Sequence, residues 1–498
     1  MYLEIAWIHA AVCTGLFLLC FLLLRSRRLW FWAAGLYLVN MGLVAVYLAV
    51  NAMTGAGFNE AALYHVLHAS WQDVRLLAAY DAFLYGAPAL IVSAMLFVHG
   101  VRKVRLPEPL PVSSLSQTLL VVSTAAFGLY LTPLAADLSH TLRVSGLDKQ
   151  DRIGLPVVME KISTPQPVPG PKKNLIVLYA ESLEAAFFDE QLFPGLMPRL
   201  NRLATQGLRF DRIEQSPMSD WTMAGMIATQ CGLPLSSHRM LNEPNDFGKF
   251  STGYQCLSHH LARQGYARVY MGGASNGFAG KGDYYRSMGF DEVLGLEQLA
   301  SPASPQSQWG LYDDELLPLA LGKIGSLRGD GKRPFALLAL TLDTHPPAGF
   351  ASPTCATRGI RYGQVTGQHF DTLRCTDEIL ASFLEQVIRE NIHDSTIVLL
   401  SDHVMMNSQA LQSLDAKRAP RLNHMVIWDK DQAPGVVHRR ASQFDVAPTV
   451  LQVLLGKSYQ VGFGFSMLDN RPNLTEQHGR EVFDESVYAW RTESWKKW

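Results

Sequence analysis

Polar residues that could bind a metal ion closely follow three short apolar segments of the chain. They are Glu181 after Asn174–Ala180, Asp343 with His345 after residues 335–342, and Asp402 with His403 after residues 396–400. Each segment is rich in Val, Ile or Leu, as expected of a buried strand. Because ligands of an open α/β sheet bind beyond the carboxyl ends of its strands, we expect these side chains to lie near one another. Carboxylates with imidazoles suit Zn²⁺, Mn²⁺ or a related divalent ion better than a Ca²⁺ cage.

A hydroxyl that could act as a nucleophile lies in the segment 216–226, SPMSDWTMAGM. The pattern places Thr222 at the start of a helix, where backbone N–H groups and the helix dipole favour anions. A hydroxyl bound there to a divalent cation loses its proton more easily and could attack phosphorus. The alternative is that Ser219, Asp220 or Thr222 is only the N-cap of that helix.

Apolar runs alternate with helical sequence over residues 174–460. The predicted strands are 174–180, 267–271, 335–342, 396–400 and 425–428, and the predicted helices include 198–206, 222–230 and 376–390. Short, continuously apolar strands separated by helices indicate a mainly parallel sheet covered on both faces. The predicted fold class of this region is therefore α/β.

The composition indicates that part of the chain lies in lipid. Hydrophobic residues make up 48% of the 498 residues and charged residues only 17%, a shift typical of membrane proteins. The net charge of -1 argues against a nucleic-acid partner.

Four apolar stretches near the N-terminus are long enough to cross a bilayer as helices. They are residues 3–24, 29–53, 76–98 and 115–136. Basic residues occupy the first and third loops (Arg25, Arg27 and Arg28; Arg102, Lys103 and Arg105), whereas the loop 54–70 has none. The positive-inside rule then places both basic loops in the cytoplasm and both ends outside. The alternative is that one stretch, most simply the third, is a buried helix of a soluble domain.

Four regions are predicted along the chain. They are a transmembrane domain over residues 1–136, a connector over 137–173 with a Pro-rich hinge at 163–173, a catalytic domain over 174–460, and a C-terminal tail over 461–498. The segment 58–68 fits either an amphipathic helix on the outer membrane surface or a simple connecting loop.

Four cysteines lie in the predicted external domain: Cys231, Cys256, Cys355 and Cys375. An even number in an oxidising compartment suggests two disulfides. Pairing each cysteine with its neighbour in sequence is the simplest arrangement, and the other two arrangements stay open. No C-x-x-C spacing is present, so a zinc site built from these cysteines is not expected.

Several longer stretches resemble the lipoteichoic-acid synthase and phosphoglycerol transferase branch of the alkaline-phosphatase superfamily. They are YAESLEAAFFD, TMAGMIATQCGLPL, GGASNGFAGK, WGLYDDELL, LTLDTHPPAGF and LSDHVMMN, and together they cover most of residues 174–410. The resemblance implies an alkaline-phosphatase-like fold preceded by an all-α membrane domain.

The resemblance also assigns roles to residues. Glu181, Thr222, Asp402 and His403 would hold one divalent ion, with Mn²⁺ or Mg²⁺ favoured over Zn²⁺. Thr222 would be the nucleophile that forms a phosphoglycerol-threonine intermediate, and His345 would donate to the phosphoryl group or the leaving oxygen.

Lys281 falls where relatives use an arginine near the substrate phosphate, and Ala279 replaces an aromatic residue of that pattern. The alternative for Lys281 is an ordinary exposed loop lysine. Glu184 is most simply interpreted as a solvated neighbour of Glu181.

The function implied by the resemblance is transfer of phosphoglycerol from phosphatidylglycerol to a periplasmic glucan, at the outer face of a bacterial inner membrane. Membrane lipid is therefore an expected partner. The alternatives are transfer of phosphoethanolamine to lipid A or another envelope glycan, and a catalytically silent glucan-binding sensor.

Overall fold

The structure is a computed structural model that describes residues 2–24, 26–54, 87–101, 113–130, 137, 172–235, 255–365, 367–406 and 408–495. The chain divides into two compact units, residues 1–147 and 148–498. Three features predicted from the sequence lie outside the described residues: the segment 58–68, the loop containing Arg102, Lys103 and Arg105, and nearly all of the connector 137–173.

The first unit contains four described helices: α1 (Tyr2–Leu23), α2 (Arg27–Thr54), α3 (Ala87–Val101) and α4 (Ser114–Tyr130). Aromatic side chains pack between them. The ring of Tyr37 on α2 lies 5.2 Å from that of Phe17 on α1 and 5.3 Å from that of Phe97 on α3. The helices therefore form a bundle with an apolar interior.

The outward faces of this bundle are also apolar. Trp32 on α2 is 69% exposed and Leu96 on α3 is 66% exposed. Large apolar side chains on an outer surface are typical of a bundle that contacts lipid. One stretch, Arg27–Leu48, is long and apolar enough to cross a membrane.

The prediction of four membrane spans is not confirmed as a whole. The other apolar stretches found in the first unit's described helices, Ile8–Leu23, Ala89–Val101 and Ser114–Tyr130, are shorter than a span requires. Predicted spans three and four extend into residues 76–86 and 131–136, which lie outside the described residues.

The second unit is built on a nine-stranded sheet. Its strands are β1 (Asn174–Ala180), β2 (Leu208–Glu214), β3 (Ala267–Gly272), β4 (Glu292–Leu294), β7 (Phe335–Leu340), β8 (Ser395–Ser401), β9 (Leu422–Trp428), β10 (Gly435–Val437) and β11 (Ala441–Ser442). The order is β10-β2-β9-β8-β1-β7-β3-β4, with β11 also beside β2. Two short hairpins lie apart from it: β5 (Gln306–Ser307) with β6 (Gly310–Leu311), and β12 (Gln460–Val461) with β13 (Gly464–Phe465).

Strand direction in this sheet is mainly parallel, as the sequence predicts. Strands β8, β1, β7, β3 and β4 all run the same way. Only β9 is antiparallel to its neighbours, β8 and β2. Consequently β9 starts on the side of the sheet where the carboxyl ends of β1, β3, β7 and β8 lie, which we call the carboxyl-end edge. It finishes on the side where their amino ends lie, which we call the opposite edge.

Twelve helices accompany these strands in the described part of the second unit. They are α5 (Pro198–Ala204), α6 (Thr222–Cys231), α7 (Leu257–Arg263), α8 (Lys281–Ser287), α9 (Leu296–Leu299), α10 (Asp313–Asp330), α11 (Pro353–Thr357), α12 (Gln368–Asn391), α13 (Gln409–Ala416), α14 (Val446–Leu455), α15 (Leu474–His478) and α16 (Arg480–Trp495). Short 3₁₀ turns occur at Ala185–Phe188, Phe278–Gly280 and Gln443–Asp445.

Helices cover both faces of the sheet. On one face, Ile176 and Leu178 of β1 belong to a buried apolar cluster with α5, α10, α12 and α13. On the other face, the hydroxyl of Tyr179 lies 3.0 Å from that of Thr229 on α6. Because alternate residues of a strand point to opposite faces, β1 is buried on both sides. The central strands are thus rigidly held, and so are the residues that follow them.

Two disulfides join neighbouring elements, Cys231 to Cys256 and Cys355 to Cys375. Of the three arrangements that the sequence leaves open, the structure contains the one that pairs sequence neighbours. The first disulfide ties the end of α6 to the start of α7.

The stretch predicted as a C-terminal tail is folded against the second unit as far as it is described. It contains β13, α15 and α16. The ring of Phe483 on α16 lies 6.0 Å from that of Phe444. This stretch is therefore part of the second unit's core.

Candidate active site

Glu181 is held at the end of β1 by contacts on both sides. Its backbone N–H donates to the Thr341 hydroxyl, 3.0 Å away, and the Ser182 hydroxyl donates to Glu181 Oε1 at 2.8 Å. Ser182 has a φ of 54°, in the left-handed region, so the chain turns sharply after the strand. The Glu181 carboxylate is 1% exposed and lies at the carboxyl-end edge of the sheet.

Asp402 and His403 occupy the same edge at the end of β8. Asp402 Oδ1 accepts the N–H groups of Ser182 (2.9 Å) and His403 (2.8 Å). His403 Nδ1 donates to the Val404 carbonyl at 2.8 Å, which directs Nε2 to the carboxylates. His403 Nε2 lies 3.4 Å from Glu181 Oε1 and 3.3 Å from Asp402 Oδ2.

These three residues fit a divalent metal ion. Their potential ligand atoms all lie within 4.8 Å of one another. Within the described part of the chain, Asp402 Oδ2 and His403 Nε2 have no hydrogen-bond partner although both are buried. Buried polar atoms are nearly always paired in folded proteins. Two carboxylates and one imidazole are a donor set suited to Mn²⁺, Mg²⁺ or Zn²⁺.

The electrostatics of the cluster agree with a cation at its centre. Burial alone would favour the neutral imidazole, but Asp402 and Glu181 raise the pKa of His403 to about 10. Burial, together with the Glu181 charge, raises the pKa of Asp402 to about 7. The two carboxylates thus favour a bound proton on His403, and a metal ion can supply the same positive charge in place of that proton.

Thr222 is the first residue of α6 and contacts the cluster directly. Its hydroxyl donates to Glu181 Oε2 at 3.2 Å. The residue that precedes the helix is Trp221, whose side chain makes no capping hydrogen bond. The interpretation of Thr222 as an N-cap is therefore wrong: its hydroxyl is directed to Glu181.

Gly225 allows the start of α6 to approach the end of β8. A Cβ atom at this position would collide with the carbonyl of Asp402. The same carbonyl accepts a hydrogen bond from Gln443 Nε2 at 2.7 Å, and Gln443 Oε1 accepts the N–H of Ser216 at 2.8 Å. The absence of a side chain at 225 thus fixes how close Thr222 comes to the cluster.

His345 lies in the loop that follows β7. The Thr344 hydroxyl donates to the Glu181 carbonyl, and His369 donates from Nε2 to the Thr344 carbonyl at 3.1 Å. His345 Nδ1 donates to the Pro346 carbonyl at 2.8 Å, so Nε2 is free for a ligand. Burial lowers the pKa of His345, against the opposing effect of Glu181. The neutral ring is the resting form, and a donor role needs an anionic ligand that favours protonation of Nε2.

Lys281 begins α8 and is buried, with 4% of its surface exposed. Its ammonium group lies 4.7 Å from the centre of the Phe278 ring. Burial lowers the pKa of Lys281 to about 8, although Glu181 and Asp402 favour the charged form. The alternative of an exposed loop lysine is therefore wrong.

Trp309 is a site residue that the sequence did not reveal. It lies in the β5–β6 hairpin, with its ring 3.9 Å from that of His345 and 5.4 Å from that of Phe278. It is 9% exposed, and its indole N–H has no acceptor among the described residues. Phe278 and Trp309 place aromatic rings between Lys281 and His345, where Ala279 provides none. Trp309 begins the stretch WGLYDDELL that carries part of the family resemblance, but the resemblance assigned it no role at the site.

The sequence interpretation of Glu184 is also wrong. Glu184 is fully buried and forms an ion pair with Arg421, with 2.8 Å between Arg421 Nη2 and Glu184 Oε2. The structure thus brings Glu181, Thr222, Asp402 and His403 together, with His345 and Lys281 in electrostatic reach. The roles of these residues stay predictions.

The sequence matches two known families. Residues 173–457 match the Sulfatase family, and residues 5–151 match the N-terminal domain of phosphoglycerol transferase I. The chain is 32% identical to phosphoglycerol transferase I of Escherichia coli over 490 residues and 31% identical to that of Shigella boydii over 488 residues. In both comparisons the match covers 95% of this chain but 61% of the relative.

Solved structures share the fold. The lipoteichoic acid synthase LtaP from Listeria monocytogenes superimposes with a TM-score of 0.52 and 13% identity, covering 72% of this chain and 98% of that one. The integral membrane lipooligosaccharide phosphoethanolamine transferase A from Neisseria meningitidis superimposes with a TM-score of 0.50 and 14% identity, covering 91% and 87%. The alkaline-phosphatase-like fold that the sequence predicts is therefore confirmed for the second unit.

Proposed function

The chain belongs to the sulfatase family, and from that premise we propose that it transfers phosphoglycerol from phosphatidylglycerol to a periplasmic glucan through a covalent intermediate on Thr222. The observation that carries the proposal is the hydrogen bond from the Thr222 hydroxyl to Glu181, inside a cluster with free metal-ligand atoms. The 32% identity to phosphoglycerol transferase I favours phosphoglycerol as the transferred group.

The metal site of this proposal consists of Glu181, Thr222, Asp402 and His403. Mn²⁺ or Mg²⁺ is the favoured ion, and Zn²⁺ is an alternative that the same donor set accepts. When bound, such an ion lowers the pKa of a coordinated hydroxyl and neutralises charge on a phosphoryl group.

In the first step the Thr222 hydroxyl passes its proton to Glu181 Oε2, to which it donates. The Thr222 oxygen attacks phosphorus, and the bond from phosphorus to the diacylglycerol oxygen breaks. The leaving oxygen takes up a proton, which His345 can supply from Nε2 once an anionic phosphoryl group has favoured its protonation. In the second step a sugar hydroxyl attacks the phosphorus and passes its proton to the neutral Nε2 of His345. The bond from phosphorus to the Thr222 oxygen breaks, and this oxygen takes its proton back from Glu181. Lys281 contributes positive charge near the phosphoryl oxygens throughout.

We place this reaction at the outer face of a bacterial inner membrane. A donor with two acyl chains does not leave the bilayer readily, so its enzyme gains from membrane attachment. The apolar outer faces of α2 and α3 support such attachment. The two disulfides of the second unit support a location in the oxidising periplasm.

A label-transfer experiment tests the proposal. The full chain in phospholipid vesicles with Mn²⁺ is given phosphatidylglycerol labelled in its head group, and phosphatidylethanolamine labelled likewise serves as the matched donor. We expect a phosphoglycerol adduct on Thr222, found by mass spectrometry, that is discharged when glucan is added. Transfer only from phosphatidylethanolamine would favour the phosphoethanolamine alternative, and no transfer from either lipid with glucan still bound would favour a silent sensor.

A further inference from the structure

A buried ion pair behind the candidate metal site has no part in the steps above. It consists of Glu184 and Arg421, which together hold the backbone of Met405; we name these three residues the clasp. Glu184 follows the ligand Glu181 by three positions, and Met405 follows the ligand His403 by two. The clasp therefore connects the two loops that carry the metal ligands.

The contacts within the clasp are numerous and close. Glu184 Oε2 accepts the N–H of Met405 at 2.9 Å, and Arg421 Nη2 donates to the Met405 carbonyl. Arg421 Nε lies 3.0 Å from both carboxylate oxygens of Glu184. Both backbone polar groups of Met405 are thus held by one ion pair.

The antiparallel direction of β9 brings Arg421 to this position. Arg421 immediately precedes β9, which starts at the edge of the sheet where β1 and β8 end. A parallel strand would have placed Arg421 at the opposite edge. The one reversed strand next to β8 therefore supplies the cation that the two ligand loops share.

Because the clasp is buried, its charged groups must be paired to be stable. Glu184 is fully buried and the Arg421 side chain is 31% exposed. A buried carboxylate is stable only when it is paired and hydrogen-bonded. The carboxylate therefore has one low-energy position, and the loop that contains Met405 is fixed relative to the loop that contains Glu181.

We infer that the clasp is a positioning device that sets the distance between Glu181 and the Asp402–His403 pair, and through it the affinity of the site for a divalent cation. The inference rests on the metal site of the proposed function, and it adds Glu184 and Arg421 as positioning residues. Groups that orient metal ligands without binding the metal change metal affinity by about 10- to 100-fold when they are removed.

The test measures Mn²⁺ affinity of the full chain in detergent, from the electron paramagnetic resonance signal of free Mn²⁺. We expect Glu184→Gln and Arg421→Met each to weaken binding by about 10- to 100-fold. Arg421→Lys keeps the charge but loses the planar fork that reaches both Glu184 and the Met405 carbonyl. We expect this variant to fold and to bind Mn²⁺ less tightly than the wild type does. The inference can therefore be tested even if the other two variants do not fold.

A matched ion pair at the opposite edge of the sheet is the control. Asp429 is fully buried, the Lys173 side chain is 15% exposed, and their charged atoms lie 2.7 Å apart. Asp429→Asn and Lys173→Met should lower the melting temperature of the metal-free protein without changing its Mn²⁺ affinity. If the clasp variants behave like these controls, the clasp only stabilises the fold and the inference is overturned. A wild-type chain that binds no divalent ion would overturn the metal site and the clasp together.

Discussion

The sheet of the second unit has a buried polar cluster at each edge, and the two clusters differ in how completely they are paired. At the edge opposite the site, Lys173 donates to both oxygens of Asp429, at 2.8 and 2.7 Å. Thr396 donates to the same carboxylate at 2.5 Å, and the N–H of Asp431 does so at 2.9 Å. Both carboxylate oxygens of Asp429 therefore accept hydrogen bonds from groups within this cluster.

The cluster at the carboxyl-end edge contains buried polar atoms that make no hydrogen bond with a described residue. Asp402 Oδ2 and His403 Nε2 are buried and have no hydrogen-bond partner in the described chain. Both clusters contain a fully buried aspartate next to a strand end, so burial alone does not separate a structural site from a functional one. The donor set does, because two carboxylates and one imidazole place ligand atoms within 4.8 Å of one another only in the cluster at the carboxyl-end edge, among the residues that the structure describes.

The largest effect we expect is on the nucleophile. Thr222→Val should lower transfer activity by roughly 10⁴-fold or more, because the attacking oxygen is lost. The matched control is Thr229→Val in the same helix, whose hydroxyl bonds to Tyr179 and not to the cluster. Head-group transfer from phosphatidylglycerol measures both. Activity of the Thr222 variant close to that of the control would contradict the assignment.

The second prediction compares the two buried aspartates directly. Asp402→Asn should weaken Mn²⁺ binding by more than about 100-fold, since it removes a charged ligand. Asp429→Asn should leave the affinity unchanged and lower the free energy of unfolding by about 2 kcal/mol, because it weakens charged hydrogen bonds while Lys173 keeps its ion pair with Asp431. Calorimetric titration and thermal melting give the two quantities. Equal loss of affinity in both variants would remove the distinction between the two edges.

The third prediction concerns the buried cation Lys281. Lys281→Met should lower activity by about 100-fold, because a charge that stabilises the phosphoryl group is lost. Since the pKa of Lys281 is lowered to about 8, the ammonium is present below that pH and is lost as the pH rises through it. Activity of the wild type should therefore decline above about pH 8.

Lys281→Arg sharpens this third test, because a guanidinium stays charged at high pH. The alkaline decline should then move to higher pH. An unchanged pH–activity profile in this variant would show that another group causes the decline.

The fourth prediction concerns removal of the metal. Mn²⁺ at about 100 times its dissociation constant should raise the free energy of unfolding by about 2.7 kcal/mol over the protein in excess chelator. The gain should disappear in Asp402→Asn and persist in Asp429→Asn. Melting curves with and without chelator provide the measurement, and a gain that survives in Asp402→Asn would place the ion elsewhere.

The smallest effect is expected from the cluster around Asp429. Thr396→Val removes one hydrogen bond to Asp429 and should cost about 1 kcal/mol of stability. Because this cluster has no contact with the metal ligands, the loss should be the same with and without Mn²⁺. A loss that depends on the ion would show coupling between the two edges.

The sequence predicts those parts of this molecule that are encoded locally. Strands β1, β3, β7 and β8 are continuous apolar runs because both of their faces are buried. The sequence therefore places the residues that follow β1, β7 and β8 at one edge of the sheet. The sequence does not predict strand β2, because charged residues interrupt LRFDRIE irregularly and a register shift separates its two buried residues, Phe210 and Ile213.

Strand direction is not encoded locally, and the errors at Arg421 and Glu184 follow from it. The sequence predicts strand β9 but not its antiparallel direction. It therefore cannot show that Arg421 lies beside Glu184, or that Asp429 lies away from the site. Glu184 was misread for the same reason, since its partner is 237 positions away. The sequence does not assign Trp309 to the site, because this residue lies in the turn between the two-residue strands β5 and β6, which carry no periodic signal.

The close approach at Gly225 gives the active site a sensitivity that its ligands alone do not suggest. A single methyl group added there would force helix α6 outward from the Asp402 carbonyl, and Thr222 would move with it. All of the proposed ligands and the proposed nucleophile would still be present, yet the threonine oxygen would no longer reach its partners. Gly225→Ala is thus a route to a chain that retains the chemical groups for catalysis and loses only their spacing, which makes it a useful trap for bound but unreacted lipid.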